Sequence, residues 1–175
     1  MSINYSVSPR AILSGWLLLL LFAVSAAAQA PKPPVVKQIN EVALKQLIKP
    51  KGKPLLVNFW ATWCDPCREE FPDLVKLDAE YKGKIDFITI SLDFPEDINT
   101  AVPKFLAAMK ADMPTYVLIT PDETAAIGSV NKDWQGGLPF TILYDKDGKM
   151  AYVTQKVVRL ETIRPEIDKL IKPAP

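Results

Sequence analysis

The sequence contains no histidine, and only two of its 175 residues are cysteine. Those scarcities exclude two metal chemistries. A structural zinc site takes about four ligands, and Cys64 and Cys67 supply two. Covalent haem attachment calls for histidine directly after the second cysteine, where this chain has Arg68. Glycine is sparse too, with seven residues and no glycine-rich phosphate loop, and there is neither an internal repeat nor a low-complexity tract. Charge of neither sign is in excess: 21 basic residues face 20 acidic ones. Loss of Arg10 with an export segment would balance the two. The chain thus lacks both the basic stripe of a nucleic-acid binder and an acidic tail, so no nucleic-acid partner is expected. Lys49, Lys51 and Lys53 read as an ordinary solvated turn.

What is present centres on Cys64-Asp65-Pro66-Cys67. The apolar run Leu55-Leu56-Val57-Asn58-Phe59-Trp60 before it predicts a buried central strand. After it the period becomes helical, with Leu74, Leu77 and Tyr81 on one face and Glu69, Asp73, Lys76 and Glu80 on another. Cys64 therefore falls where a strand ends and a helix begins. The free amides of a helix's first turn stabilise a thiolate there. Cys67 lies one turn further on nearly the same side, so the two sulfurs can close a small ring. Pro66 suits a first helical turn, where its missing N–H has no partner to lose. The pattern describes a dithiol that exchanges with another disulfide, Cys64 attacking and Cys67 resolving. The rival is a structural disulfide, but so short a loop gains little from chain entropy.

The nonapeptide Phe59-Trp60-Ala61-Thr62-Trp63-Cys64-Asp65-Pro66-Cys67 resembles a thioredoxin-fold active site, and Arg68-Glu69-Glu70-Phe71-Pro72 resembles the TlpA/ResA-like branch of exported thiol–disulfide oxidoreductases. The likeness extends over residues 35–171 by order of elements. It implies an α/β, thioredoxin-like fold: a central mixed β-sheet flanked by helices, with an extra βα insertion and an N-terminal extension. It also implies an enzyme that reduces protein disulfides outside the cytoplasm, in envelope redox homeostasis or, as in some relatives, on apocytochrome c before haem attachment. Leu138-Pro139-Phe140-Thr141 matches the family's cis-proline loop, which faces the disulfide. Proline is nearly the only residue that tolerates a cis bond, and the Leu138 backbone would pair strand-fashion with an extended substrate. No cofactor is expected beyond the redox-active disulfide, and no metal.

Proton handling is the next question. The family's prototype has a buried acid where this chain has Asn58, whose amide cannot titrate; its expected role is a hydrogen bond to backbone or water. Glu70 shares the inward stripe of Leu74, Leu77 and Tyr81 and stands three residues beyond Cys67, so partial desolvation should raise its pKa toward a useful range. In ResA-like proteins a glutamate at this motif position helps control the cysteines. The alternative is an exposed carboxylate favoured by the helix's positive end. Asp65 either opposes thiolate formation at Cys64 or is a solvated residue of small effect. Trp60, Trp63 and Trp134 read as packing residues, Trp63 also as a shield for Cys64.

Residues 1–28 read as a signal peptide: Arg10, an apolar run over 17–22, and small residues before a cleavage site between Ala28 and Gln29. The rival is an uncleaved anchor over 11–28. Residues 29–34 predict a proline-rich tether, and 35–175 the thioredoxin-like domain. The expected location is periplasmic or otherwise extracytoplasmic. An exported pair drifts to the disulfide in an oxidising compartment, so a reductant there implies a membrane-bound electron donor besides its protein disulfide substrate. A monomer is expected. Two other functions remain in view. One is a peroxide-reducing enzyme of the same fold, whose attacking cysteine is surrounded by threonine and arginine in a different pattern. The other is a non-enzymatic binding module with a structural disulfide.

Along the rest of the chain the pattern predicts an edge strand over 35–39, a helix capped by Asn40 and running to about Lys49, a strand over 85–91 and a polar connection over 93–99. A helix carrying Val102, Phe105, Leu106 and Met109 follows, then a strand over 115–120 and a helix over 121–130. Two strands over 140–144 and 150–154 flank an Asp145-Lys146-Asp147-Gly148 turn. Leu160, Ile163, Ile167 and Leu170 mark a last amphipathic helix.

Overall fold

The computed structural model describes residues 1–3 and 34–172. The chain divides into a unit over Met1–Pro31 and another over Lys32–Pro175. The signal peptide, its cleavage site, the rival anchor and all of the tether but Pro34 lie outside the described residues.

The domain runs β1 (Val36–Ile39), α1 (Glu41–Leu47), β2 (Leu55–Trp60), α2 (Asp65–Tyr81), β3 (Asp86–Ser91), a 3-10 turn (Pro95–Asp97), α3 (Ala101–Met109), β4 (Thr115–Leu118), α4 (Glu123–Val130), β5 (Phe140–Tyr144), β6 (Met150–Thr154) and α5 (Leu160–Ile171). Its six strands form one sheet in the order β1-β4-β3-β2-β5-β6. The first three pairings are parallel and the last two antiparallel. This is the expected mixed α/β sheet. The additional β4–α4 pair inserts its strand between the edge strand β1 and β3.

β2 is buried along its whole length, as a strand covered by helices on both faces must be. Its alternation divides the core. Leu56 and Trp60 pack with Cys64, Cys67, Phe71, Leu74 and Leu77. Leu55, Val57 and Phe59 pack on the opposite face with Leu44, Ile127, Trp134 and Phe140. By the same period of two, Asn58 points to the face of the cysteines.

Local chemistry sets the element ends. Asn40 caps α1 by accepting from the Ala43 N–H at 2.9 Å, and Asp122 caps α4 through Ala125 at 2.8 Å. That cap starts α4 two residues later than the periodicity alone predicts, and β4 closes at Leu118 rather than Thr120. The β5–β6 turn is fastened by Asp145 Oδ1, which accepts from the N–H groups of Asp147 and Lys149, each at 2.9 Å. Gly148 takes φ 88°, where a Cβ would be strained. The connection over 93–99 carries the 3-10 turn and begins with a buried residue, Asp93.

Candidate functional site

β2 delivers the chain to a three-residue turn, after which Cys64 is the N-cap of α2 with extended backbone, φ −88° and ψ 102°. Its Sγ accepts from the Cys67 N–H at 3.2 Å. The sulfurs of Cys64 and Cys67 are joined in a disulfide, with Cα atoms 5.3 Å apart. Cys64 keeps 5% of its surface exposed and Cys67 none. Of the pair, Cys64 is the member that retains contact with solvent. Asp65 and Pro66 fill the first helical turn and are exposed.

Glu70 faces inward, as its place in the helical stripe predicts, and is wholly buried. Its Oε1 accepts from Asn58 Nδ2 at 2.7 Å, and its Oε2 from the Val158 N–H, also at 2.7 Å. Burial pushes its pKa up to about 7, against the lowering effect of those two hydrogen bonds and of the Arg159 guanidinium. A carboxyl group in this condition can give or take a proton near neutrality. Asn58 Nδ2 also donates to Thr141 Oγ1 at 2.9 Å, while its Oδ1 has no partner among the described residues. The expected backbone contact of Asn58 is thus corrected: its hydrogen bonds run to two side chains, one of them 83 residues away.

The Leu138–Pro139 bond is cis. The register of β2 against β5 sets Phe140 opposite Phe59, so Pro139 comes level with Trp60, close to where β2 releases the chain toward Cys64. Leu138 packs against the cluster that holds both cysteines. Trp60 lies among Phe71 and Phe105, with ring centroids at 4.6 and 4.9 Å. Trp134 stacks on Phe140 at 4.2 Å. Trp63 departs from the packing expectation: it is 59% exposed, on a turn whose residue 63 faces solvent.

Sequence reasoning missed the other side of the site. Asp93 accepts from the Thr62 N–H at 3.1 and 3.0 Å and from Thr62 Oγ1 at 2.5 Å. Ser91 Oγ donates to it at 2.5 Å. The available signal was parity, because Ser91 and Asp93 continue the alternation of β3 onto one face. Phe94, the next residue, is 61% exposed. Among the described residues, no three His, Cys, Asp or Glu side chains are grouped as a metal ion requires.

Comparison with known proteins agrees with this arrangement. A model described as the AhpC/TSA family matches residues 26–153. The thiol-disulfide oxidoreductase ResA of Oceanobacillus iheyensis is 31% identical over 132 residues, 73% of this chain and 64% of the relative. The ResA of Bacillus cereus is 34% identical over 124 residues, 70% and 63% respectively. The chain thus spans just under two thirds of the length of these relatives. The crystal structure of a DsbF homologue from Corynebacterium diphtheriae is similar with a TM-score of 0.59 at 27% identity, covering 69% of this chain and 73% of that one. On these matches the chain belongs to the AhpC/TSA family, on a thioredoxin-like fold and with ResA-type thiol-disulfide oxidoreductases among its relatives.

Proposed function

We propose that the protein is an exported thiol–disulfide oxidoreductase that reduces disulfides in other proteins. In the reduced form the Cys64 thiolate attacks one sulfur of a substrate disulfide and expels the other as a thiolate. Cys67, deprotonated in its turn, attacks Cys64 Sγ, expels the second substrate sulfur and closes the Cys64–Cys67 disulfide. Two electrons pass to the substrate, and a dithiol donor at the membrane returns them by the same exchange in reverse. The observation that carries this reading is the Cys67 N–H directed at Cys64 Sγ from a helix's first turn, since such a donor stabilises the attacking thiolate.

Glu70 takes the proton that Cys67 loses, a role supported by its burial and by a pKa near 7. Asp65 and Pro66 shape the turn between the sulfurs, and Trp63 offers an exposed aromatic surface to a substrate. Leu138 and Pro139 form the docking edge. The export segment over 1–28 places the work outside the cytoplasm, with residues 29–34 as the tether and 35–175 acting as a monomer. Envelope proteins with mispaired cysteines, or apocytochrome c before haem attachment, fit as substrates because the relatives are thiol-disulfide oxidoreductases.

The test is reduction of a disulfide-bonded protein such as insulin by the pre-reduced chain. Cys64→Ser should lose at least about a hundredfold in rate, since the attacking atom is gone, and Cys67→Ala should accumulate a mixed disulfide. Unchanged reduction by Cys64→Ser would leave a binding module. Faster turnover with hydrogen peroxide than with the protein disulfide would favour the peroxide-reducing alternative.

A further inference from the structure

The turn Ala61-Thr62-Trp63 decides where Cys64 sits, yet it has little to hold it in place. Within it the Cys64 N–H donates to Ala61 O at 3.2 Å, and Arg68 Nη1 reaches Thr62 O at 3.3 Å from the exposed side. Ala61 is packed in the core, and the other side-chain hydrogen bonds to the turn come from Asp93. Both of its oxygens lie within hydrogen-bond range of the Thr62 N–H, and one also receives the Thr62 hydroxyl. Asp93 is itself anchored: Ser91 Oγ donates to Oδ2 at 2.5 Å, and the Asp93 N–H donates back to Ser91 Oγ at 2.9 Å. Ser91 ends β3 and is paired with Trp60 at the end of β2. A continuous polar strut therefore runs from the sheet through Ser91 and Asp93 to Thr62, two residues before the outer sulfur. Burying a carboxyl group costs free energy unless its hydrogen bonds are met, and here they are met by Thr62 on the cysteine turn and Ser91 at the end of β3.

We propose that Asp93 is the positioning residue of Cys64: it fixes the turn so that Cys64 Sγ lies on the Cys67 N–H. The proposal rests on the reading that Cys64 is the attacking thiol. Without the strut the turn has room to shift, the N–H···S contact lengthens, and the thiolate loses its donor. The charged and titratable groups around the sulfur are Asp65 at the helix start, Arg68 over the turn, Glu70 one turn beyond Cys67, and Asp93. The first three are identical in every variant compared below.

The experiment uses the full chain with Cys67→Ala, so that Cys64 is the one thiol, and follows iodoacetamide alkylation against pH. In that background Asp93→Asn is compared with Asp93→Ala. Both replacements are neutral, so any effect of Asp93's charge drops out of the difference, while only Asn keeps an oxygen for the Thr62 N–H. The expected result is a higher alkylation midpoint for the Ala variant and a rate at pH 7 about threefold lower than for the Asn variant, the scale of one lost hydrogen bond. Superimposable profiles overturn the proposal, whatever the melting temperatures, because a purely structural role moves stability and not the profile. If the Ala variant does not fold, Asp93→Val, also neutral and without an acceptor for the Thr62 N–H, takes its place against Asp93→Asn, and equal profiles again overturn the proposal. These readouts follow sulfur reactivity, so failure to reduce a protein disulfide would refute the functional reading without touching this one.

Discussion

Among the described residues, Glu70 and Asp93 are the two buried carboxyl side chains, and the fold treats them differently. Glu70 spends one oxygen on the Asn58 amide and the other on the Val158 N–H, partners from distant parts of the chain. Those two bonds do not offset complete burial, and the pKa rises to about 7. Asp93 draws on a backbone N–H within range of both oxygens and on two hydroxyls, all within three residues of a strand end or of the cysteine turn. One carboxyl group has two hydrogen bonds and a raised pKa, as the proposed proton acceptor requires. The other is held by donors from the cysteine turn and the end of β3, as the proposed strut requires. On these two proposals the supply of donors, more than depth of burial, separates a chemical role from a mechanical one.

The hardest way to break that contrast is to remove the strut outright. Asp93→Leu fills the volume but leaves the Thr62 N–H and two hydroxyls without their acceptor, so a loss of about 4 kcal/mol is expected in urea unfolding of the oxidised protein. A loss below about 1 kcal/mol would mean that water or a neighbouring group replaces Asp93 easily, and the contrast with Glu70 would disappear.

Glu70 should betray itself through pH instead. Its carboxyl group titrates near 4.5 when unfolded and at about 7 when folded. Between those values the folded chain holds a proton that the unfolded chain has released, so stability is full below about pH 4.5 and falls as pH rises through 7. The loss across that window is about 3 kcal/mol. Glu70→Gln, neutral throughout, should remove this slope and leave the rest of the profile. Parallel curves for parent and variant would take Glu70 out of any proton-transfer role. The same substitution should shift the pH dependence of thiol reactivity while the fold stays intact.

The contrast was only half legible in the sequence. Glu70 could be found because a helix repeats every 3.6 residues, and Leu74, Leu77 and Tyr81 mark its inward face. The strand–turn–helix around Cys64 and the paired strands Phe140–Tyr144 and Met150–Thr154 follow from the same local periodicities. Asp93 offered only the weaker signal of strand parity, because it lies past the end of β3 beside exposed Phe94, Pro95 and Glu96, and its partner Thr62 comes from another loop. Asn58 was visibly odd in an apolar strand, but its partners Glu70 and Thr141 come from α2 and β5. Such pairings are created by sheet order, and no window of sequence contains them. Trp63 carried two readings, packing and a shield for Cys64, and its exposure removes only the first: an aromatic residue next to a core strand looks like core, yet residue 63 faces solvent.

A milder perturbation sharpens the Glu70 side. Thr141→Val keeps the shape of β5 but removes the second acceptor of Asn58 Nδ2, 2.9 Å away. The expected cost is about 1 kcal/mol. Because the Asn58–Glu70 bond survives, the pH window of stability should stay where it is. A moved window would show that Thr141 belongs to the proton-holding group, and that Glu70 is better supplied than its two direct bonds suggest.

The smallest effect concerns Arg159, whose charge lowers the pKa of Glu70 and is the weakest of the influences on it. Its side chain is 42% exposed, with Nη2 3.5 Å from Glu69 Oε2 and Nη1 donating to Glu69 O at 3.2 Å. Exposed charges act through water and are screened over about 10 Å at 0.1 M salt. Arg159→Ala should therefore raise the Glu70 midpoint by less than about half a pH unit, the size expected of an exposed pair. That difference from the parent should fade between 0.05 and about 0.5 M salt as screening shortens. A larger, salt-insensitive shift would place Arg159 inside the buried network, supplying Glu70 with the charged donor that its contrast with Asp93 requires it to lack.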